Sequence, residues 1–239
     1  MNTTLSLSPG TRLALFDLDH TLLPLDSDYQ WADFLAGSGH AGDPATARRR
    51  NDELMDRYNQ GNLTAAESAE FMLGLLAGHR PSDLAAWHET FMRDIIRPAI
   101  QPQALALVES HLAAGDLCLI VTATNTFVTE PIARAFGIPH LIGATPEYRN
   151  GRYTGRLLGT PSFREGKIVR VEQWLTAHDL SFDQFEKTFF YSDSINDLPL
   201  LERVSDPVAA NPSPALRAIA QEHGWRILDL FDHHEDQKS

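Results

Sequence analysis

Cysteine is all but missing from this chain of 239 residues: a single one, Cys118, stands inside an apolar run, so a disulfide framework is excluded and a small core residue is expected. Long hydrophobic runs are missing as well. No apolar stretch approaches the length of a membrane span, and the amino terminus lacks a basic region followed by a long apolar one, so neither a membrane anchor nor a secretory signal is expected. Positive charge is also in deficit. A formal net charge of −12 argues against a nucleic-acid or anionic-membrane surface, though not against an anionic substrate met by a local field. What remains is 43% hydrophobic, enough to bury a sizeable core. A soluble cytoplasmic protein is the expectation.

The most informative run is Phe16-Asp17-Leu18-Asp19-His20-Thr21-Leu22, where the apolar stretch Leu13 to Phe16 ends in two carboxylates two residues apart. Carboxylates beside an apolar run lose water, and a close pair repels itself, so a cation or a proton must relieve the arrangement. Magnesium suits it, being a hard ion that takes carboxylate and phosphate oxygens and keeps several waters. Asp17 is then placed to attack phosphorus, and Asp19 to carry the proton. Thr21 supplies a hydroxyl for phosphate oxygens or for orienting Asp17. An Asx turn that merely ends a strand is the plainer alternative.

Other segments repeat the pattern. Leu117 to Thr122 is an apolar run closing on a hydroxyl, and Thr188 to Asp193 is another closing on an acid. Gly166-Lys167 opens an amphipathic stretch with Ile168, Val171, Trp174 and Leu175 at helical spacing. Strands are expected at Arg12 to Phe16, Leu117 to Thr122, about His140 to Gly143, Thr188 to Ser192 and Pro207 to Ala210. Helices are expected at Gln103 to Ala114, Thr129 to Phe136 and Ser213-Pro214 to His223. That alternation implies an α/β fold, a doubly wound parallel sheet with a Rossmann-like core. Parallel neighbours would bring Asp17, Thr122 and Asp193 to one sheet edge, where such folds bind ligands. Asn150-Gly151, within the run Tyr148 to Leu158, reads as the turn of a small β-hairpin flap projecting over that edge.

Residues 25–96 show no strand. Trp31, Phe34 and Leu35 suggest one helix; Leu54, Met55 and Tyr58 a second; Phe71, Met72, Leu75 and Leu76 a third; Leu84, Trp87, Phe91, Ile95 and Ile96 a fourth. Thr64 to Glu67 forms a capping box for the third. The expected organisation is an α/β core over 1–24 and 98–232, a helical cap over 25–97 inserted after the first motif, and a polar tail over 233–239. A cap there is placed to exclude water from the site. His20 is expected to point off its turn, and His233-His234 to belong to the tail.

The ordered set Asp17-x-Asp19-x-Thr21, Thr122, Lys167 and Asp193-Ser194-Ile195-Asn196-Asp197 resembles the four motifs of the haloacid dehalogenase-like superfamily, in its phosphoserine-phosphatase-like branch, subfamily IB. The resemblance implies Asp17 as nucleophile and Asp19 as general acid/base. It implies Thr122 as a hydrogen-bonding partner of the transferring phosphoryl group, and Lys167 as the cation that steadies nucleophile and phosphate. Asp193 would ligate Mg2+ with the carboxylate of Asp17 and the backbone carbonyl of Asp19, with Asp197 supporting the metal directly or through water. Two departures stand out: Ser192 where the family often has glycine, and Thr122-Ala123-Thr124 where phosphoserine phosphatases favour serine-glycine-glycine. Ala123 is thereby placed among the substrate contacts.

The implied substrate is a small phosphorylated metabolite. Asp26 lies at the interval where phosphoserine phosphatases hold the substrate ammonium, so Asp26-Ser27-Asp28 could bind a positively charged amine, and the run is equally suited to capping the helix of Trp31 and Phe34. Arg48, Arg49, Arg50 and Arg57 offer no assignable partner for a substrate carboxylate, so an amine-bearing ester without one, such as histidinol phosphate, fits at least as well as phosphoserine. The rivals are a phosphotransferase or mutase using the same aspartyl phosphate, and a catalytically idle protein that binds a phosphometabolite.

Overall fold

The structure is a computed structural model that describes residues 5, 7–60, 62 and 64–231; His233 and His234 lie outside the described residues. Its sheet is built from β1 (Leu13–Phe16), β2 (Leu117–Asn125), β3 (His140–Arg149), β4 (Arg152–Leu158), β5 (Thr188–Ser192), β6 (Asp206–Ala210) and β7 (Arg226–Leu228), in the order β4-β3-β2-β1-β5-β6-β7. Every pairing is parallel except β3 with β4. The first strand lies in the middle of the sheet. The chain builds outward through β2 and β3 on one side, then crosses to β5, β6 and β7 on the other, which makes the ends of β1, β2 and β5 the switch point where open α/β sheets receive ligands.

Alternation along the central strand divides the core in two. Ala14 and Phe16 join the apolar cluster on one face, and Leu13 and Leu15 join the cluster on the other, all without solvent exposure. The four helices after β1 are α1 (Ser27–Gly37), α2 (Pro44–Asn59), α3 (Ala65–Gly74) and α4 (Pro81–Phe91). Trp31 and Leu35 of α1 and Leu84 and Phe91 of α4 belong to the same cluster as Phe16, Ile120 and Val128. The inserted helices therefore share their apolar core with one face of the sheet. That face is also covered by α5 (Pro102–Ala113) and α6 (Thr126–Ala135), and the opposite face by α7 (Glu165–Ala177), α8 (Leu198–Arg203) and α9 (Pro214–His223).

Local chemistry accounts for the boundaries. Thr64 and Glu67 form the capping box of α3, and α9 runs from the Ser213 cap to left-handed Gly224. Helix α6 starts three residues before its expected position, because the Asn125 side chain accepts from the Val128 amide and caps it there. The helix of Leu84 to Ile96 is not α-helical throughout. Met92–Ile96 is a π turn in which the Arg97 amide reaches back to the Met92 carbonyl, just before Pro98, which has no amide to continue an α ladder.

The hairpin turn at Asn150-Gly151 is present, both residues having positive φ (53° and 77°). Its first strand is not separate, however: β3 continues unbroken from the sheet to Arg149, so the hairpin extends the sheet's own edge. Gly155 of β4, at φ +81°, lies so close under α3 that a Cβ there would meet Ala77 at 3.3 Å and the Gly74 backbone at 3.6 Å. The short edge strand β7 has no counterpart among the expected strands. Among the described residues, no helix is long and apolar enough to cross a membrane.

Candidate active site

Register brings the motif residues together. Phe16 pairs with Ile120 on one side and Tyr191 on the other, and the Asp17 amide bonds the Tyr191 carbonyl at 2.9 Å, so the chain leaves β1 level with the ends of β2 and β5. Asp17, Asp19, Thr122, Lys167, Asp193 and Asp197 all line one cleft of about 420 Å3. A larger groove of about 1340 Å3, bounded by α4, α6 and the hairpin, includes no strand-end carboxylate, so the chemistry belongs to the smaller cleft.

Lys167 organises the cleft floor. Only 3% exposed, its ammonium donates to Asp17 Oδ1 at 2.9 Å and to Asp197 Oδ2 at 2.7 Å. Burial alone would lower its pKa, but the two carboxylates outweigh burial and raise it, so the lysine stays charged. Its helix is seated by Gly166, where a Cβ would fall 2.1 Å from the Pro161 carbonyl oxygen. Only glycine lets the preceding loop pass that closely. Arg164 caps the loop at φ 51° and donates to the Asn196 side chain at 3.2 Å, tying it to the acidic loop after β5.

Each acid has its own holder. Asp19 accepts from the Ser27 amide and from the Thr124 hydroxyl, both at 2.7 Å. Asp197, 2% exposed, takes the Ser192 hydroxyl at 2.7 Å in addition to Lys167, so it is not merely a charge at the start of α8. Ser192, where the family often has glycine, thereby takes part in the network. Thr21 differs from expectation. It is fully buried, with its hydroxyl engaged by the Asp193 amide (3.1 Å) and Asp193 Oδ1 (3.2 Å), so it orients Asp193 instead of facing a substrate. Thr122 accepts from the Thr124 amide at 3.1 Å, which leaves its own proton free to donate into the cleft. Ala123 lines the cleft with its methyl exposed, and His20, at φ 58°, stands exposed at the cleft mouth.

Crowded carboxylates raise one another. Burial, then repulsion from Asp197 and Asp193, pushes Asp17 well above the usual carboxylate range against the pull of Lys167. Burial and Asp197 likewise lift Asp193 to about 6. One lysine does not neutralise this many acids, and the donors are hard oxygens of the kind magnesium takes. No three His, Cys, Asp or Glu side chains among the described residues assemble as a metal cage. Two carboxylates, a backbone carbonyl, water and phosphate are the alternative set that suits this ion.

At the other end of the cleft, Asp26 caps α1 through the Tyr29 amide at 2.8 Å while still lining the cleft. Asp28, also on that wall, accepts from the Asn125 amide group at 2.8 Å. The cap arginines are engaged elsewhere: Arg48 with Asp33, Arg49 with Glu53, Arg57 with Glu67, and Arg50 over the Phe71 ring. None of them lines the cleft. Thr124, Asn125 and Ser192 are site residues beyond those expected from the sequence, whereas Ser27 and Asp28 belong to the Asp26-Ser27-Asp28 run expected to bind an amine. The signal for Thr124 was the Thr122-Ala123-Thr124 run.

Comparison with known proteins agrees with this geometry. A sequence profile of haloacid dehalogenase-like hydrolases matches residues 14–202. The chain belongs to that family. It is 43% identical over 219 residues to a histidinol-phosphatase of Neisseria meningitidis, covering 91% of this chain and 98% of that one. It is 30% identical over 228 residues to a phosphoserine phosphatase of Mycobacterium tuberculosis, covering 92% and 71% of the two. A solved structure of a Bordetella pertussis protein of unknown function superposes with TM-score 0.91 at 70% identity, covering 92% of this chain and 99% of that one. A substrate-bound phosphoserine phosphatase shares the fold at TM-score 0.65 and 16% identity, over 92% and 94% of the two chains. This family member is a phosphatase.

Proposed function

We propose that this phosphatase is a Mg2+-dependent, cytoplasmic phosphomonoesterase acting through an aspartyl phosphate on an amine-bearing ester without a carboxylate, such as histidinol phosphate. The observation that carries the reaction is the buried Lys167 ammonium shared between Asp17 and Asp197 at the rim of β1. It holds one oxygen of Asp17 and leaves the carboxylate at the strand end, facing the cleft. The observation that favours the substrate is the makeup of the lining: Asp26 and Asp28 stand at the far end, and among the described residues no arginine lines the cleft to receive a substrate carboxylate. The likeness to the Neisseria histidinol-phosphatase points the same way.

Asp17 and Asp193, with the Asp19 carbonyl, would hold the ion, and Asp197 would support it. When bound, it supplies positive charge for the phosphoryl oxygens and relieves the repulsion among the acids. The Asp17 carboxylate attacks phosphorus as the bond to the ester oxygen breaks, and Asp19 gives its proton to the departing alcohol. Thr122 donates its hydroxyl to the transferring group, and Lys167 balances its charge. Asp19, now a carboxylate, takes a proton from water as that water attacks phosphorus. Phosphate leaves and Asp17 is regenerated. Its double anchorage to Ser27 and Thr124 holds Asp19 at one position for both proton transfers.

The helical segment 25–97 serves as the cap over a core of residues 1–24 and 98–232, supplying Asp26, Asp28, Asn51 and Met55 to the substrate side of the cleft. Hydrolysis of 4-nitrophenyl phosphate tests the reaction. It should require Mg2+, vanish reversibly on chelation, and fall at least about 10^4-fold in Asp17→Asn with the fold retained. Turnover persisting in that variant contradicts the nucleophile assignment. Transfer of the phosphoryl group to an added alcohol in preference to water would make the protein a phosphotransferase.

A further inference from the structure

Four buried side-chain polar atoms among the described residues have no hydrogen-bond partner: Ser27 Oγ, Trp31 Nε1, Asn51 Oδ1 and Ser162 Oγ. Two of them, on residues each 1% exposed, belong to the substrate side of the site. Asn51 lines the cleft; its amide nitrogen donates to the Tyr29 carbonyl at 3.0 Å, which fixes the opposite, unpartnered oxygen as an acceptor. Ser162 lines a side chamber of about 70 Å3 that shares Asp28, Ser68, Met72, Ala123 and Phe163 with the cleft. Buried polar atoms are nearly always paired, so orphans along one wall point to a ligand that pairs them.

The chamber has a definite chemistry. Apolar side chains, among them Leu73, Ala144, Leu157 and Pro161, share its lining with Thr64, Ser68, Asn125 and Ser162, and among the described residues Asp28 is the one ionisable group there, its carboxyl pushed up by burial. At roughly 10–15 Å3 per water-sized probe it has room for about five to seven such centres, on the scale of a five-membered ring. An alkylammonium carries three strongly hydrated donors and suits apolar walls poorly. A flat imidazole buries its faces and offers N–H groups only at its edge. Asn125 donates to one oxygen of the Asp28 carboxyl group at 2.8 Å and the Thr124 side chain hydrogen-bonds the same group, which orients its remaining acceptor capacity toward such an edge.

We propose that Asp28 is the specificity-determining residue of this phosphatase, its carboxylate accepting one ring N–H of an imidazole-bearing phosphomonoester in the side chamber while Ser162 Oγ meets the second ring nitrogen. Asn51 Oδ1 and Asp26 then accept from the substrate's amine in the main cleft. This rests on the phosphatase reading above and adds to it which end of the substrate is selected and by which residues. Asp26 is the acid that sequence position suggested for the amine; Asp28 adds discrimination of the ring.

The test compares kcat/KM for histidinol phosphate with that for the phosphate ester of phenylalaninol, which keeps the amine and replaces the imidazole by phenyl. Wild type should favour the imidazole ester by at least about 100-fold. Asp28→Asn should cut that preference about 30-fold or more, chiefly through KM, and Ser162→Ala about three- to ten-fold, with circular dichroism and thermal melts confirming that both fold. Preference unchanged in a folded Asp28→Asn overturns the proposal. Should that variant fail to fold, an unchanged preference in Ser162→Ala overturns it instead. A wild type that hydrolyses 4-nitrophenyl phosphate but does not distinguish the two esters refutes the chamber assignment and leaves the phosphatase reading standing. Hydrolysis of none of the three would remove both.

Discussion

The two ends of the cleft are built on opposite plans. At the phosphoryl end, the acids that flank the reacting centre are held by partners within the chain: Lys167 on Asp17 and Asp197, Ser192 on Asp197, Thr21 on Asp193, Ser27 and Thr124 on Asp19. At the substrate end, Asn51 and Ser162 are buried with atoms unpaired, although Asp28 is held by Asn125 and Thr124. The first end is preorganised for a group common to every phosphomonoester. The second leaves acceptors for the part of the substrate that varies. Chemistry that must be the same at each turnover favours a network closed on itself, and selectivity favours one that only the right ligand closes.

The largest effect that sharpens this contrast should come from Lys167→Met. It leaves Asp17 and Asp197 buried without their shared cation, and breaking a buried pair costs about 3–5 kcal/mol. Turnover of 4-nitrophenyl phosphate should fall at least about 100-fold and the thermal midpoint should drop markedly, both read on one preparation. A near-normal midpoint would mean that the phosphoryl end is less interdependent than its hydrogen bonds imply. Gly166→Ala comes next. Its Cβ meets the Pro161 carbonyl, so loop or helix must shift, costing about 1–3 kcal/mol of stability and displacing Lys167. Denaturant unfolding and kcat should fall together; loss of stability with kcat intact would separate the glycine from lysine placement.

The smallest effect concerns the substrate end. Burial and the nearby charge of Asp19 hold Asp26 at about 6, above its ordinary 3.8. The folded protein therefore keeps this proton to higher pH than the unfolded chain. The associated stability is complete below about 3.8 and is lost as pH rises through 6. Asp26→Asn keeps a helix-capping side chain and removes the titration. Its thermal midpoint relative to wild type should rise between pH 4 and 7. A difference that does not vary with pH would show that Asp26 is fully solvated in the folded state.

The same contrast explains what could be read from the sequence. Strand-end acids interrupt apolar runs, so Asp17, Asp19 and Asp193 announced themselves, as did the parallel sheet, the four inserted helices and the Thr64 capping box. Lys167 was legible through its place at the start of an amphipathic helix. Residues that hold the acids were harder to see. Ser27, Thr124 and Ser192 are small polar residues whose roles depend on which segment lies opposite, and nothing local distinguishes them from turn or cap residues. The contact of Thr21 with Asp193 was hidden for the same reason, since only the approach of Asp193 from 172 residues away claims its hydroxyl. Asn51 belongs to a helix whose neighbours in sequence, Arg48, Arg49 and Arg50, read as a solvated face, and its burial is set by α1 packing over it. The strand β7 is three residues at the sheet margin, too short for alternation to register.

The most direct test of the central claim is to trap the covalent intermediate. Enzyme mixed with Mg2+ and a 32P-labelled phosphomonoester, quenched in acid within one turnover and digested, should yield a single labelled peptide. Borohydride reduction should convert its Asp17 to homoserine. Label on Asp17 that disappears under chelation is the predicted result; turnover without a labelled protein, or label on another residue, would contradict it.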